Sequence, residues 1–172
     1  MNLQKILNDK VRKPKEKTET ISKWLLDDKL SVDELIGFAG TSKDPAKATC
    51  IEAIEYATKI KPAVADESVL DFCTQTLTEK APRIKWESAK VIGNIAHLFP
   101  DNLDKAIKNL LVNSEYDGTV VRWSAAFALG EILKLKTKHN KKLLPEIERI
   151  IKKEEKNSIR KIYLDAIKKT LK

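Results

Sequence analysis

The sequence predicts an all-α fold: an alpha-alpha superhelix, or right-handed solenoid, of about four stacked helix pairs behind a short N-terminal helical cap. Three observations predict it. A tryptophan- and glycine-bearing segment recurs after 37 residues, and a basic residue beside the tryptophan recurs at steps of 38, 37 and 38. Apolar side chains within each copy return at helical spacing. Chain breakers are scarce, with 5 Gly and 6 Pro in 172 residues, which favours long helices over turn-rich β structure.

The repeat register comes from two strings. PRIKWESAKVIGNIAHL (82–98) lies on TVVRWSAAFALGEILKL (119–135), so that Trp86 matches Trp123, Gly93 matches Gly130 and Lys85 matches Arg122. Carried one step in each direction, the register adds Lys47 and Arg160, so a basic residue recurs at 47, 85, 122 and 160. Self-similarity at such a period marks two-helix repeats that stack to build a continuous core.

Each long segment follows a shorter amphipathic one: 31–40, 67–77, 102–113 and 143–153. Ser31 with Glu34 forms a capping box, Asp44 precedes Pro45 as a cap before a first-turn proline, and Pro82 repeats that device. Asp101 or Asn102 is expected to cap the helix after Pro100. The repeats are therefore placed at about 31–61, 66–99, 101–136 and 143–172. Residues 1–30, broken at Lys13–Pro14, form a helical cap over the open end of the first repeat.

The helix over 119–135 is apolar on both faces, as an interior repeat must be when neighbours cover both sides. The last helix carries Lys161, Asp165, Lys168 and Lys169 on one face, as an end does. Gly93 and Gly130 fall inside helices, where each costs about 1 kcal/mol relative to Ala. Their shared register implies a neighbouring helix too close for a side chain.

The strings VVRWSAAFALGEI, RIKWESAKVIGNI and SIRKIYLDAIKKT resemble the second helix of HEAT-type, armadillo-like repeats. The resemblance covers residues 31–172 and is strongest in the middle two repeats. It implies a curved superhelix with second helices on the concave side, and a scaffold for proteins or nucleic acids. Glu55 and Lys168 stand where that pattern expects Gly.

Catalytic chemistry finds little footing. His97 and His139 read as helix-end residues, and no Ser/His/Asp or Cys/His set lies in sequence proximity. No clustered metal ligands and no phosphate loop occur. Cys50 and Cys73 read as core residues. The expectation is a protein that is not an enzyme, with no catalytic residue, no metal and no cofactor.

Partner-binding candidates lie along two inner-helix lines: Trp86, Lys90 and Asn94, then Trp123, Phe127 and Glu131. Equivalent positions in stacked helices stand roughly 10 Å apart. The two lines form either an exposed aromatic–polar groove or inter-repeat packing. The ladder of Lys47, Lys85, Arg122 and Arg160 reads as polar bracing between turns, with Asp44, Asp117 and Glu155 as nearby partners.

Net charge is +8, and residues 133–172 hold 14 basic against 5 acidic side chains. Lys134, Lys136, Lys138, Lys141, Lys142, Lys152 and Lys153 form a candidate basic patch. The function expected is a scaffold or adaptor that binds a protein through its concave helix face. The alternative is a DNA-repair-like, nucleic-acid-binding repeat protein using the basic C-terminal region. Helical-repeat DNA glycosylases offer a Trp and a nearby Asp, but no Asp lies four residues after Trp86 or Trp123. No signal-peptide core and no run near the roughly 20 apolar residues of a spanning helix occur, so a cytoplasmic protein without a membrane role is expected.

Overall fold

The computed structural model describes residues 1–172 as ten α-helices. They are α1 (Leu3–Asn8), α2 (Pro14–Leu26), α3 (Val32–Gly40), α4 (Asp44–Ile60), α5 (Glu67–Thr76), α6 (Pro82–Ile95), α7 (Asp104–Asn113), α8 (Thr119–Lys134), α9 (Asn140–Lys153) and α10 (Asn157–Thr170). Short 3-10 turns follow α4 and α6. No strand interrupts the series.

The local signals explain most helix starts. Ser31 accepts the Glu34 amide at 3.1 Å, and Asp66 accepts the amides of Ser68 and Val69. Pro14, Pro45 and Pro82 sit in first turns, where a missing N–H costs nothing. Two starts differ from expectation. Helix α7 begins at Asp104 rather than near 102 and has no side-chain cap, because Leu103 holds the cap position; Asn102 donates to Glu67 of the preceding pair at 3.0 Å. Helix α9 begins at Asn140 and carries Pro145 inside it.

The helices stack in two layers. In the inner layer α2 packs on α4, α4 on α6, α6 on α8 and α8 on α10. In the outer layer α3 packs on α5 and α5 on α7. Helix α2 thus covers α4 as each inner helix covers the next, with α1 packed against it. One cluster of 38 buried apolar residues runs from Leu3 to Ala166, so a single core threads every pair. Both cysteines lie in it; burial pushes the Cys50 thiol up to about 12 and the Cys73 thiol higher still.

The glycine register has its reason in the stack. A Cβ on Gly93 would overlap the Phe127 ring, reaching its Cδ1 at 2.8 Å, so this glycine is where α8 closes on α6. A Cβ on Gly130 would stand 3.3 Å from the Ala166 Cβ of α10, a milder conflict at the next interface. Phe127 is therefore part of the α6–α8 joint.

Three rungs of the basic ladder tie each pair to the next. Lys47 meets Glu79 at 2.8 Å, Lys85 reaches Asn113 at 3.4 Å, and Arg122 Nε donates to Glu154 Oε2 at 3.0 Å. Arg122 also donates to the carbonyls of Tyr116 and Asp117 at 3.1 and 2.7 Å. The partners are thus not the carboxylates of Asp44, Asp117 and Glu155 but groups brought close by stacking. Burial lowers the Lys85 pKa, and its ammonium stands 5.5 Å from the Tyr116 ring centroid.

Candidate functional site

The inner helices enclose a groove of about 690 Å³. Its walls come from α2 (Glu19, Ser22, Lys23, Leu26), the end of α4 (Glu55, Tyr56, Lys59, Ile60), α6 (Lys90) and α8 (Trp123). Residues of α2 and α8 share one hollow although α4 and α6 lie between them, so the inner layer is concave there. Ile60 and Trp123 are solvent-facing, at 73% and 41% exposure. Apolar side chains gathered in a hollow and rimmed by charged ones are a common feature of interaction sites.

Trp123 is held by its own helix. Phe127 follows one turn later, and the two rings stack with centroids 6.0 Å apart and planes 7° apart. Phe127 in turn rests on Gly93. The small residue on α6 thus fixes Phe127, and Phe127 presents the indole to solvent in a set orientation.

Beneath the rim is a buried polar cluster. Lys90 Nζ stands 3.4 Å from Glu87 Oε2 and 3.9 Å from Glu55 Oε2. Both carboxylates are nearly shut from water, at 4% and 5% exposure. Trp86 donates its indole N–H to Glu87 Oε1 at 2.9 Å. Burial raises the Glu87 pKa; Lys90 opposes that, and the nearby Glu52 and Glu55 reinforce it. Arg83 pairs with Glu52, which also accepts from the Thr18 hydroxyl at 3.3 Å. The Tyr56 phenol is raised by burial and then by Glu52 and Glu55.

The six residues chosen from sequence are divided by this geometry. Lys90 and Trp123 line the groove. Trp86 is half-buried. Asn94 is turned toward α4, donating to the Glu55 carbonyl and to Thr58 Oγ1, each at 3.2 Å. Phe127 serves both the α6–α8 joint and a second hollow, which it lines with Glu131, Lys134 and Asp165. Glu131 is paired there with Lys134.

The seven lysines of the basic region also part company. Lys134 faces that second hollow. Lys136, at φ 56°, lies just beyond the end of α8. Lys138, Lys141 and Lys142 line a hollow of about 600 Å³ between α7 and α9, floored by Ile107, Leu111 and Leu143. Lys152 and Lys153 stand at the far end of α9, where Lys153 is 3.7 Å from Glu115. His139 is buried rather than solvated, its Nε2 3.0 Å from the Pro100 carbonyl.

Sequence reading missed Leu26, Tyr56 and Ile60. Tyr56 was within reach, since it shares the repeat register of Asn94 and Glu131. The α2 wall had no such signal, because α2 lies outside the segments that align. No group of three or more His, Cys, Asp or Glu side chains is disposed to hold a metal ion. No helix is long and apolar enough to cross a membrane.

Helix pairs stacked in two layers, with a groove along the inner one, define an armadillo- and HEAT-type helical-repeat solenoid. Solved structures carry the same fold. A designed armadillo repeat protein in complex with the peptide (KR)4 is similar at a TM-score of 0.77 and 16% identity, over 98% of this chain and 80% of that one. The complex of CpcE and CpcF of phycocyanin lyase from Nostoc sp. is similar at a TM-score of 0.72 and 20% identity, over 95% of this chain and 96% of that one. A computationally designed armadillo repeat protein for modular peptide recognition is similar at 0.71 and 15% identity, over 97% and 80%. No family model and no curated protein matches the sequence.

Proposed function

We propose that this chain is a non-catalytic scaffold that holds a segment of a partner protein in the groove between α2 and α8. The observation that carries the reading is Trp123: a large aromatic side chain, 41% exposed, fixed by Phe127 and facing an apolar patch of Leu26, Tyr56 and Ile60. A preorganised aromatic beside an open apolar hollow is the usual anchor of a protein interface. Glu19, Lys23, Lys59 and Lys90 surround the patch with both signs of charge, which suits a polypeptide carrying one bulky apolar side chain between charged neighbours. Two designed armadillo repeat proteins of similar fold, one in complex with the peptide (KR)4 and one made for modular peptide recognition, lend support to the class of partner.

Selection of a random peptide library on the immobilised chain tests this. Enriched sequences should share an aromatic or leucine flanked by charges. Trp123→Ala should weaken their binding by about 2 kcal/mol while leaving the melting temperature within about 2 °C, since Trp123 is exposed and stacks on Phe127 of its own helix. Selected peptides that bind Trp123→Ala as well as the natural chain would remove the groove as the site. Salt-steep binding of a DNA duplex, indifferent to Trp123, would favour a nucleic-acid partner instead.

A further inference from the structure

The rungs between repeats obey one rule, and the last of them is left open. On α4, α6 and α8 the basic residue of the ladder is answered by an oxygen from the following pair: Glu79, Asn113 and Glu154 in turn. Each acceptor lies at or just beyond the C-terminal end of that pair's outer helix. Arg160 on α10 holds the same repeat position, 38 residues after Arg122. Its Nε is the atom through which Arg122 grips Glu154. In Arg160 that Nε is buried from solvent and has nothing to donate to. A guanidinium N–H shut away without an acceptor is costly, and native proteins rarely leave one so.

The same helix exposes an apolar line. Leu164 and Leu171 are 48% and 81% exposed. One repeat earlier they correspond to Ala126 and Leu133 on α8, both fully buried. Gly130, four residues after Ala126 and three before Leu133, faces Ala166 of α10, so all three belong to the α8 surface that the next inner helix covers. Helix α10 therefore turns outward the face that α8 turns to its neighbour. Lys168 stands in the place of Gly130, which keeps an incoming helix from approaching as closely as α10 approaches α8. Lys161, Lys168 and Lys172 rim the face, with Asp165 nearby.

We propose that the outward face of α10 docks an acidic amphipathic helix of a partner protein, which brings a carboxylate to Arg160 and apolar side chains to Leu164 and Leu171. Charge selects this occupant. A second copy would set its own basic end against the same arginine and lysines, and like charges across an interface suppress pairing. A carboxylate on an acidic helix meets the part of half-buried Arg160 that stays open to solvent, and meets Lys168 with attraction. This face is separate from the groove, and neither requires the other.

The test uses the full chain and a synthetic amphipathic helix with Leu at i, i+4 and i+7 and Glu on the flanks, followed by amide chemical shifts. Shifts should centre on residues 157–172. Arg160→Ala, Leu164→Ser and replacement of the probe's Glu by Gln should each weaken binding about tenfold. Trp123→Ala should leave this binding unchanged, which separates the result from the fate of the groove. Arg160→Ala should also not lower the melting temperature of the natural chain, because that side chain holds no hydrogen bond to lose and its buried N–H has no acceptor. No binding, shifts centred on Lys90 and Lys134, or indifference to Arg160→Ala would overturn the proposal. So would sedimentation showing a dimer that Leu164→Ser dissolves, since a second copy would then be the occupant.

Discussion

At the scale of single residues, the stack sets two glutamates to opposite uses. Glu87 is raised by burial faster than Lys90 can lower it. A carboxyl whose pKa is higher in the folded than in the unfolded chain favours folding at low pH. Its contribution fades as pH rises from the ordinary value of 4.5 through the folded one. Burial alone would also raise Glu154, but hydrogen bonds from Arg122 and the Lys156 amide more than reverse it. Glu154 therefore stabilises above 4.5, and that contribution is lost as pH falls through its folded pKa. Glu87→Gln keeps an acceptor for the Trp86 indole and removes the titration. Melting temperatures above pH 4.5 should then decline less with rising pH than in the natural chain. An unchanged or steeper decline would mean that Glu87 sits as a fully compensated carboxylate.

At the scale of elements, the inter-repeat rungs are where sequence reading reached half of the answer. The cations at 47, 85, 122 and 160 were legible because a fixed step fixes register. Their partners were not, because Glu79 and Glu154 lie about thirty residues downstream and meet the ladder only when one pair stacks on the next. Adjacency in the chain pointed to Asp117, whose carbonyl rather than carboxylate takes part. Arg122→Ala leaves Glu154, 8% exposed, without its countercharge. Urea unfolding should show a loss of about 3 kcal/mol. Arg160→Ala should cost no stability, since its side chain holds no rung and its buried N–H has no acceptor. Equal losses at the two positions would show that the rungs do not bind repeat to repeat.

At the scale of the molecule, the stack was readable and its curvature was not. Periodicity, the two-sided apolar face of α8 and the paired glycines all report that a helix has neighbours on both sides. None reports how far each pair rotates on the last. That rotation brings Trp123 of α8 into one hollow with Leu26 of α2 and Tyr56 of α4. It also spreads a run of lysines, continuous in sequence, over separate surfaces. Phe127, a candidate contact residue by sequence, sets one edge of its ring against Gly93, where the absent side chain leaves room for it.

The contact between Gly93 and Phe127 is a point of close approach in the stack, and a double-mutant cycle measures it. In the natural chain Gly93→Ala should cost about 1–3 kcal/mol, since the new methyl overlaps the ring. In a Phe127→Ala background the overlap is gone, and the same change should stabilise by about 1 kcal/mol through helix propensity alone. A cost for Gly93→Ala that is the same in both backgrounds would contradict the packing of α8 on α6, and with it the solenoid on which the groove and the open end depend.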